Sequence, residues 1–212
     1  MTASISEFLH HHYPGLALGP GLFYCWPIGL RFDLQAAGTT SDDAYFTGVT
    51  QRAVTVFEAV FLPTDLVLIV VQRSRYTRWY RRWRFRASNL VLRLLHACKQ
   101  EVQFSRLANR TRFANTAQLI RFTLERQAAD IPYRQLLPAI SHQDFPPRTP
   151  RLHDDVFFVN IRSGLVLHMY DDRGLDVIGP STKALQPIYQ SHQHLLLDYD
   201  REQMDATFAC SV

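Results

Sequence analysis

The sequence predicts an α+β fold, built on a mixed or antiparallel sheet with helices packed on it. Three observations carry that expectation. First, Val156–Ile161, Leu165–Tyr170 and Leu175–Ile178 are short apolar-rich runs, separated by Arg162-Ser163-Gly164 and Asp171-Asp172-Arg173-Gly174. Each separator is a turn cluster with a glycine able to take positive φ, so the three runs read as a C-terminal three-stranded antiparallel meander. Second, Phe46, Val49, Ala53, Val56, Phe57 and Val60 recur at helical spacing and make one apolar stripe. Third, Leu66-Val67-Leu68-Ile69-Val70-Val71 is an unbroken apolar run, of a length that suits a buried strand and falls far short of the ~20 residues a membrane span needs. At 212 residues the chain is expected to form one α+β domain over 1–212, long enough to bury a core without staples.

The elements follow in order. Ser4 to His12 is a short amphipathic helix, with Ile5, Phe8 and Leu9 on one side and Ser4 placed to cap it. Pro14 and Gly15 end it, and a loop rich in Gly and Pro runs to Pro27. Residues 28–34 alternate with the period of a strand. Asp42-Asp43 start the long helix, Pro63 closes it, and the strand Leu66–Gln72 comes next. A basic helical segment is expected at about 73–100, with Leu90–Cys98 continuing or restarting its helix. Gln118–Gln127 reads as a strand and Pro132–Ile140 as a helix with proline in its first turn. Three prolines within residues 146–150 force an extended connector. After the meander, Ser181 or Thr182 starts a helix toward Tyr189, and Asp200 with Gln203 has the spacing of a capping box for a last helix to about Phe208.

Charge is distributed unevenly along this frame. Arg73 to Arg126 holds fourteen Lys/Arg against two acids, a net +12, while the remainder holds nine against seventeen, a net −8. The formal +4 of the whole chain therefore hides a dipolar molecule, which is an argument about partners. Between Tyr76 and Arg86, Tyr76, Trp79, Tyr80 and Trp83 recur at three- and four-residue intervals, with Arg75, Arg78, Arg82 and Arg86 on the adjoining flank. That is a helix with an aromatic face beside an arginine face. It reads as a solvated arginine surface over a packed aromatic stripe, as a nucleic-acid surface of phosphate-binding arginines and base-stacking rings, or as the rim of a protein interface, where Arg, Trp and Tyr dominate binding energy. Membrane adsorption is the least favoured reading.

The acids gather at the other end. Leu152 to Asp205 holds nine acids against four bases. Asp154-Asp155 precede the first meander strand, Asp171-Asp172 occupy a turn, and Asp198 and Asp200 flank Tyr199. In an antiparallel pair the start of the first strand lies beside the end of the second, so the two Asp pairs and His153 are candidates to approach one another and hold a hard cation. Asp in turns and caps bonds the local backbone just as well, and that reading needs no ligand. His168, within a meander strand, is expected to be half-buried and hydrogen-bonded rather than a base. His10-His11-His12 point in different directions on a helix, and His192 with His194 supply two ligands without a third.

No G-x-S-x-G, P-loop or dinucleotide fingerprint is present, and no cofactor is expected. Cys25, Cys98 and Cys210 form no CxxC spacing, which fits reduced thiols. The start of the sequence has no basic region followed by an apolar stretch, so no secretory signal is read and a cytoplasmic location is expected.

Several segments resemble a known family. Residues 142–148 (HQDFPPR), 152–158 (LHDDVFF), 170–178 (YDDRGLDVI) and 197–201 (LDYDR), together with Phe23-Tyr24-Cys25-Trp26, Gly29-Leu30-Arg31-Phe32 and residues 53–61, are similar to the bacterial family catalogued as domain of unknown function 3885. The similarity fades through about Arg73–Phe113. The resemblance implies no established activity, cofactor or catalytic residue. Small bacterial α+β proteins of this sort often look like immunity proteins, which bind and block a toxin.

The reading these observations favour is a non-catalytic, cytoplasmic macromolecule-binding protein, in its sharper form an immunity-type inhibitor of a cognate bacterial toxin. A protein is the first expected partner and nucleic acid the second. Two surfaces are its candidates: Arg75, Arg78, Trp79, Arg82, Trp83 and Arg86 on the basic side, and Asp154, Asp155, Asp171, Asp172, Asp198 and Asp200 on the acidic side. The alternatives are a metal-dependent phosphoesterase or nuclease and a non-catalytic nucleic-acid binder.

Overall fold

A seven-stranded sheet in the order β1-β7-β6-β5-β2-β4-β3 organises the chain, and every pairing in it is antiparallel. The structure is a computed structural model that describes residues 4–35, 38–75, 88–98, 100–108 and 118–209. The strands are β1 (Gly29–Asp33), β2 (Leu66–Arg75), β3 (Gln103–Ala108), β4 (Gln118–Gln127), β5 (Asp155–Asn160), β6 (Val166–Met169) and β7 (Gly174–Ile178). The helices are α1 (Ile5–His12), α2 (Leu22–Cys25), α3 (Asp42–Val60), α4 (Ser88–Leu94), α5 (Tyr133–Ser141), α6 (Thr182–Ser191) and α7 (Arg201–Ala209). The α+β class and the meander β5-β6-β7 are as the sequence predicts.

Strand alternation sends neighbouring side chains to opposite faces, and both faces are covered. On one side Val67, Ile69, Val71, Val156, Phe158, Leu167 and Val177 pack under α3, α5 and the C-terminal helices. On the other, Leu68, Val70, Phe157, Val159, Val166 and Ile178 pack under Ile5, Phe8 and Leu9 of α1 with Tyr13, Leu18 and Leu22. This double cover explains why β2 reads as a continuous apolar run. Each such buried side chain is worth about 1.5–3 kcal/mol relative to exposure.

Local chemistry sets the boundaries. Helix α3 is capped by Ser41, whose Oγ accepts the Ala44 N–H, and Asp42-Asp43 lie in the first turn, where carboxylates complement the positive end of the helix. Its end comes at Val60, where Phe61 turns extended ahead of Pro63. Helix α4 closes with the left-handed residue His96 (φ +47°). The Ala97 and His96 N–H groups return to the Leu92 and Arg93 carbonyls, a Schellman closure made without glycine. The two meander glycines have different roles. Gly164 takes φ +79° as the turn demands. Gly174 does not need positive φ; a Cβ there would sit 2.2 Å from the Tyr170 hydroxyl and 2.7 Å from the Phe32 carbonyl, because β7 is wedged between β6 and β1.

Two expectations are corrected. The Gly/Pro loop before Pro27 contains α2. Strand β2 runs on to Arg75, so residues 73–75 are sheet and not part of a basic helix. Strand β3, at the sheet's edge, lies past the expected basic helix, in a stretch that carried no expectation. The arginine–aromatic helix expected at Tyr76–Arg86, with Arg78, Trp79, Arg82, Trp83 and Arg86, lies outside the described residues.

Candidate functional site

The face of the sheet under α1 and α2 carries a polar strip across its strands. Register places Arg121 of β4 opposite Gln72 of β2, and Gln72 opposite Asp155 of β5. One residue pair further, Phe157 lies opposite His168, His168 opposite Asp176, and Asp176 opposite Arg31. Arg121, His168, Asp176 and Arg31 each sit between apolar neighbours that point to the other face, whereas Gln72 is followed by Arg73 and Asp155 is preceded by Asp154.

The β1–β7 end of the strip is closed. Arg31 holds Asp176 through Nε–Oδ1 at 2.7 Å and Nη2–Oδ2 at 3.0 Å, and the Phe23 N–H, at the start of the chain's path through α2, donates to Asp176 Oδ2 at 3.2 Å. The guanidinium carbon stands 4.3 Å from the Tyr24 ring centroid, and the Tyr24 hydroxyl donates to the Asp200 carboxylate at 3.0 Å. Asp176 is 0 % exposed. Burial by itself would lower the Arg31 pKa; the hydrogen bonds and charge of Asp176 outweigh it and raise it. The Tyr170 hydroxyl is pushed up to about 12, by burial first and by the Asp176 charge second. Every charge here has a partner, so this end is a structural lock between β1, β7, α2 and the approach to α7.

His168 is the centre of the strip. Its ring stacks on Phe157 with centroids 4.3 Å apart, it is fully buried, and neither ring nitrogen has a hydrogen-bond partner. Asp155 Oδ1 comes within 3.6 Å of Nε2, outside hydrogen-bonding range. The expected half-buried, hydrogen-bonded histidine is thus corrected: it is a stacked core ring with unmet polar atoms. Replacing His168 with Phe keeps the stack and removes that cost, so stability is expected to rise by about 1 kcal/mol. Urea unfolding checks this, and a lower midpoint for the variant would show that the nitrogens are satisfied in solution.

The β4–β3 end is open. Arg121 is 6 % exposed. Its Nη2 donates to Gln72 Oε1 at 3.2 Å, its Nε has no partner, and no carboxylate pairs with it among the described residues. Burial pulls its pKa down. Of the other described cations in the basic block, Arg73 is clamped by Asp154 with two contacts of 2.7 Å, and Arg126 pairs with Glu101 at 3.0 Å. Glu101 is held down to about 2, by the Cys98 N–H first and Arg126 after it. Arg93 and Arg106 make no ion pair among the described residues. Among the described residues, strand β3 pairs only with β4. It exposes Gln103, Ser105 and Arg106 beside Phe104, which is 58 % exposed.

The acidic candidates do not form one surface. Asp154, Asp171, Asp172 and Asp200 are all buried, and each is used within the fold. Asp154 takes Arg73, Asp171 takes Arg173, Asp172 accepts the Tyr45 hydroxyl at 2.7 Å, and Asp200 accepts Tyr24. Tyr45 is raised to about 12, first by burial and then by that hydrogen bond. Asp198 is exposed beside Arg201, and Asp155 is half-buried beside His168. The expected convergence on a cation also meets strand geometry: Asp154 faces the α3 side with Arg73 while Asp155 faces the α1 side with His168. Among the described residues no three His, Cys, Asp or Glu side chains are placed to share a metal ion, and no helix is long and apolar enough to cross a membrane. Cys25 and Cys98 are free thiols.

Sequence reasoning missed Arg31, Gln72, Arg121 and Asp176. For Arg31, Arg121 and Asp176 the signal is a polar residue flanked by apolar ones inside a strand, as in Leu30-Arg31-Phe32, Ile120-Arg121-Phe122 and Leu175-Asp176-Val177, which puts a polar group on a face the helices cover; Gln72, followed by Arg73, carries no such mark.

The chain is 23% identical over 209 residues to Uncharacterized protein YnaE of Bacillus subtilis (strain 168), a match covering 91% of this chain and 96% of that one. No solved structure matches the chain significantly. The family described as "Domain of unknown function (DUF3885)" matches residues 5–200, a span that takes in both ends of the polar strip, and the chain belongs to that family.

Proposed function

We propose that the protein is a non-catalytic binding protein of the bacterial cytoplasm that docks an acidic protein on the outer edge of β3. The observation that carries this is the edge itself. An edge strand presents unpaired backbone N–H and C=O groups, a ready template for an added strand. Here that edge lies within the block of net +12 and displays Phe104 and Arg106 to solvent. Of the described cations in that block, Arg73 is neutralised by Asp154 and Arg126 by Glu101, while Arg93 and Arg106 make no ion pair among the described residues, so the edge keeps positive charge. An aromatic ring beside arginine is the composition of an interface hot spot, and the surrounding positive field speeds encounter with an acidic surface.

In its sharper form the partner is a toxin, and this protein its immunity-type inhibitor. The basic edge, rather than the acidic side, is then the contacting surface, since four of the six candidate acids are buried.

The test uses the whole chain as bait, identifies a stoichiometric partner, and re-measures binding with both proteins purified. Arg106→Glu is expected to weaken the complex by about tenfold or more, and raising salt past about 0.3 M should weaken the wild type likewise. A partner that binds Arg106→Glu as tightly as wild type sinks the edge-docking reading. Captured material released by nuclease treatment would replace it with nucleic-acid binding.

A further inference from the structure

We infer that Arg121 is the floor of a binding site for a small organic carboxylate with an apolar body. The site is a cleft of about 320 Å³ between α1, the turn that follows it and β3, lined by Leu9, His10, Tyr13, Leu16, Leu107 and Arg121 among others. That volume is at the small end of the range for ligand pockets. The site lies on the opposite face of β3 from Phe104 and Arg106, so it stands independently of the edge-docking reading.

Three features single it out. The first is a missing counter-charge. Arg31, Arg73, Arg162 and Arg173 each engage a buried carboxylate. Arg121 is more buried than any of these four, and its one hydrogen-bond partner among the described residues is a neutral amide oxygen. Buried charges are ordinarily paired or bound to a ligand, because leaving one uncompensated costs several kcal/mol.

The second is preorganisation. Gln72 is 1 % exposed. Its Nε2 donates to the Leu18 carbonyl at 3.2 Å, which fixes its amide so that Oε1 faces Arg121. The guanidinium is thereby held through Nη2, its Nε is buried without a partner, and the residue lines the cleft. A guanidinium edge with free N–H donors fits a carboxylate oxygen pair.

The third is the wall chemistry. Leu9, Tyr13, Leu16 and Leu107 are apolar, and the polar lining residues Ser6 and His10 sit exposed at the mouth. One buried positive charge under an apolar throat suits a monoanion carried on a hydrocarbon or aromatic frame better than a bare, strongly hydrated phosphate.

The experiment titrates the full chain with hexanoate, with hexanol as the uncharged analogue and with inorganic phosphate, reading backbone amide shifts and the unfolding temperature. Hexanoate is expected to give saturable shifts on α1 and β4 and to raise the unfolding temperature, with hexanol and phosphate weaker by about tenfold or more. Arg121→Met should abolish the response and, in buffer alone, unfold at a higher temperature than wild type, since it removes a buried charge while keeping the side-chain bulk. Ala17→Trp, at an exposed lining position, plugs the cleft without touching Arg121 and should abolish the response too. The inference fails if hexanoate gives no saturable response, if hexanol or phosphate matches it, or if the response survives Ala17→Trp.

Discussion

Asp176→Ala is expected to destabilise the fold by about 3–5 kcal/mol, the range for breaking a buried ion pair by removing one member. Three donors converge on this carboxylate: Arg31 Nε, Arg31 Nη2 and the Phe23 N–H. None finds a substitute when it goes. Arg31 would be left as a buried cation whose nearest remaining carboxylate, Asp200, is 3.8 Å from Nη1. With a urea dependence of about 2 kcal/mol per molar, the unfolding midpoint should fall by roughly 2 M. The pair as a whole is worth far less than its breakage suggests, because both charges were desolvated to make it. The double variant Arg31→Met with Asp176→Leu should therefore recover most of the loss. If Asp176→Ala unfolds within about 1 kcal/mol of wild type, the closed end of the strip is solvated and does not lock β1 to β7.

This contrast between a paired and an unpaired arginine on one sheet face organises the molecule. Arg31 and Arg121 occupy equivalent positions, inward-facing and flanked by apolar residues, at opposite ends of the same polar strip. The fold supplies Asp176 to the first and only Gln72 to the second. The difference does not follow burial, since Arg31 is half-buried while the unmatched Arg121 is buried. It is a difference in what has been left for another molecule to provide.

Much of the fold was legible because it rests on period and punctuation. The strand Gln118–Gln127, the meander and the stripe of α3 follow directly from alternation, turn glycines and helical spacing. Strand β3 was not legible, because Gln103-Phe104-Ser105-Arg106-Leu107 lies at an exposed edge where alternation of burial is weak. The candidate site was harder. Counting acids marked Asp154, Asp171, Asp172 and Asp200 as a surface, whereas each is buried against a partner remote in sequence, such as Arg73 or Tyr45. Charge counts report composition along the chain, and only the register says which charges meet. The site residues that matter carried a fainter mark, a single polar letter within an apolar strand, and that mark cannot tell a satisfied group from an orphan.

Asp65 gives the second large effect and ties stability to pH. It is 3 % exposed and joins three elements: the Leu62 N–H donates to it at 2.9 Å after α3, Asn160 Nδ2 at 2.8 Å from the end of β5, and Arg162 Nε at 2.9 Å from the β5–β6 turn. Burial pushes its pKa up, but the Leu62 N–H, Arg162 and Asn160 together outweigh that and leave it below its ordinary 3.8. Asp65→Ala strands the Leu62 N–H and the buried Asn160 amide, so a loss of about 2–4 kcal/mol at neutral pH is expected. Arg162 adds little to this, since its side chain is 66 % exposed and water takes over its charge. Because the folded pKa is depressed, the unfolded chain binds the proton first as pH falls, and stability drops with it. The ionised contribution is whole above the unfolded value near pH 4 and is lost as pH falls through the folded value. Asp65→Asn removes the titration while keeping the shape, so the gap in unfolding free energy between wild type and Asp65→Asn should be widest at neutral pH and close below about pH 4. A gap that stays constant from pH 7 to pH 3 would mean that Asp65 does not hold these three elements together through its charge.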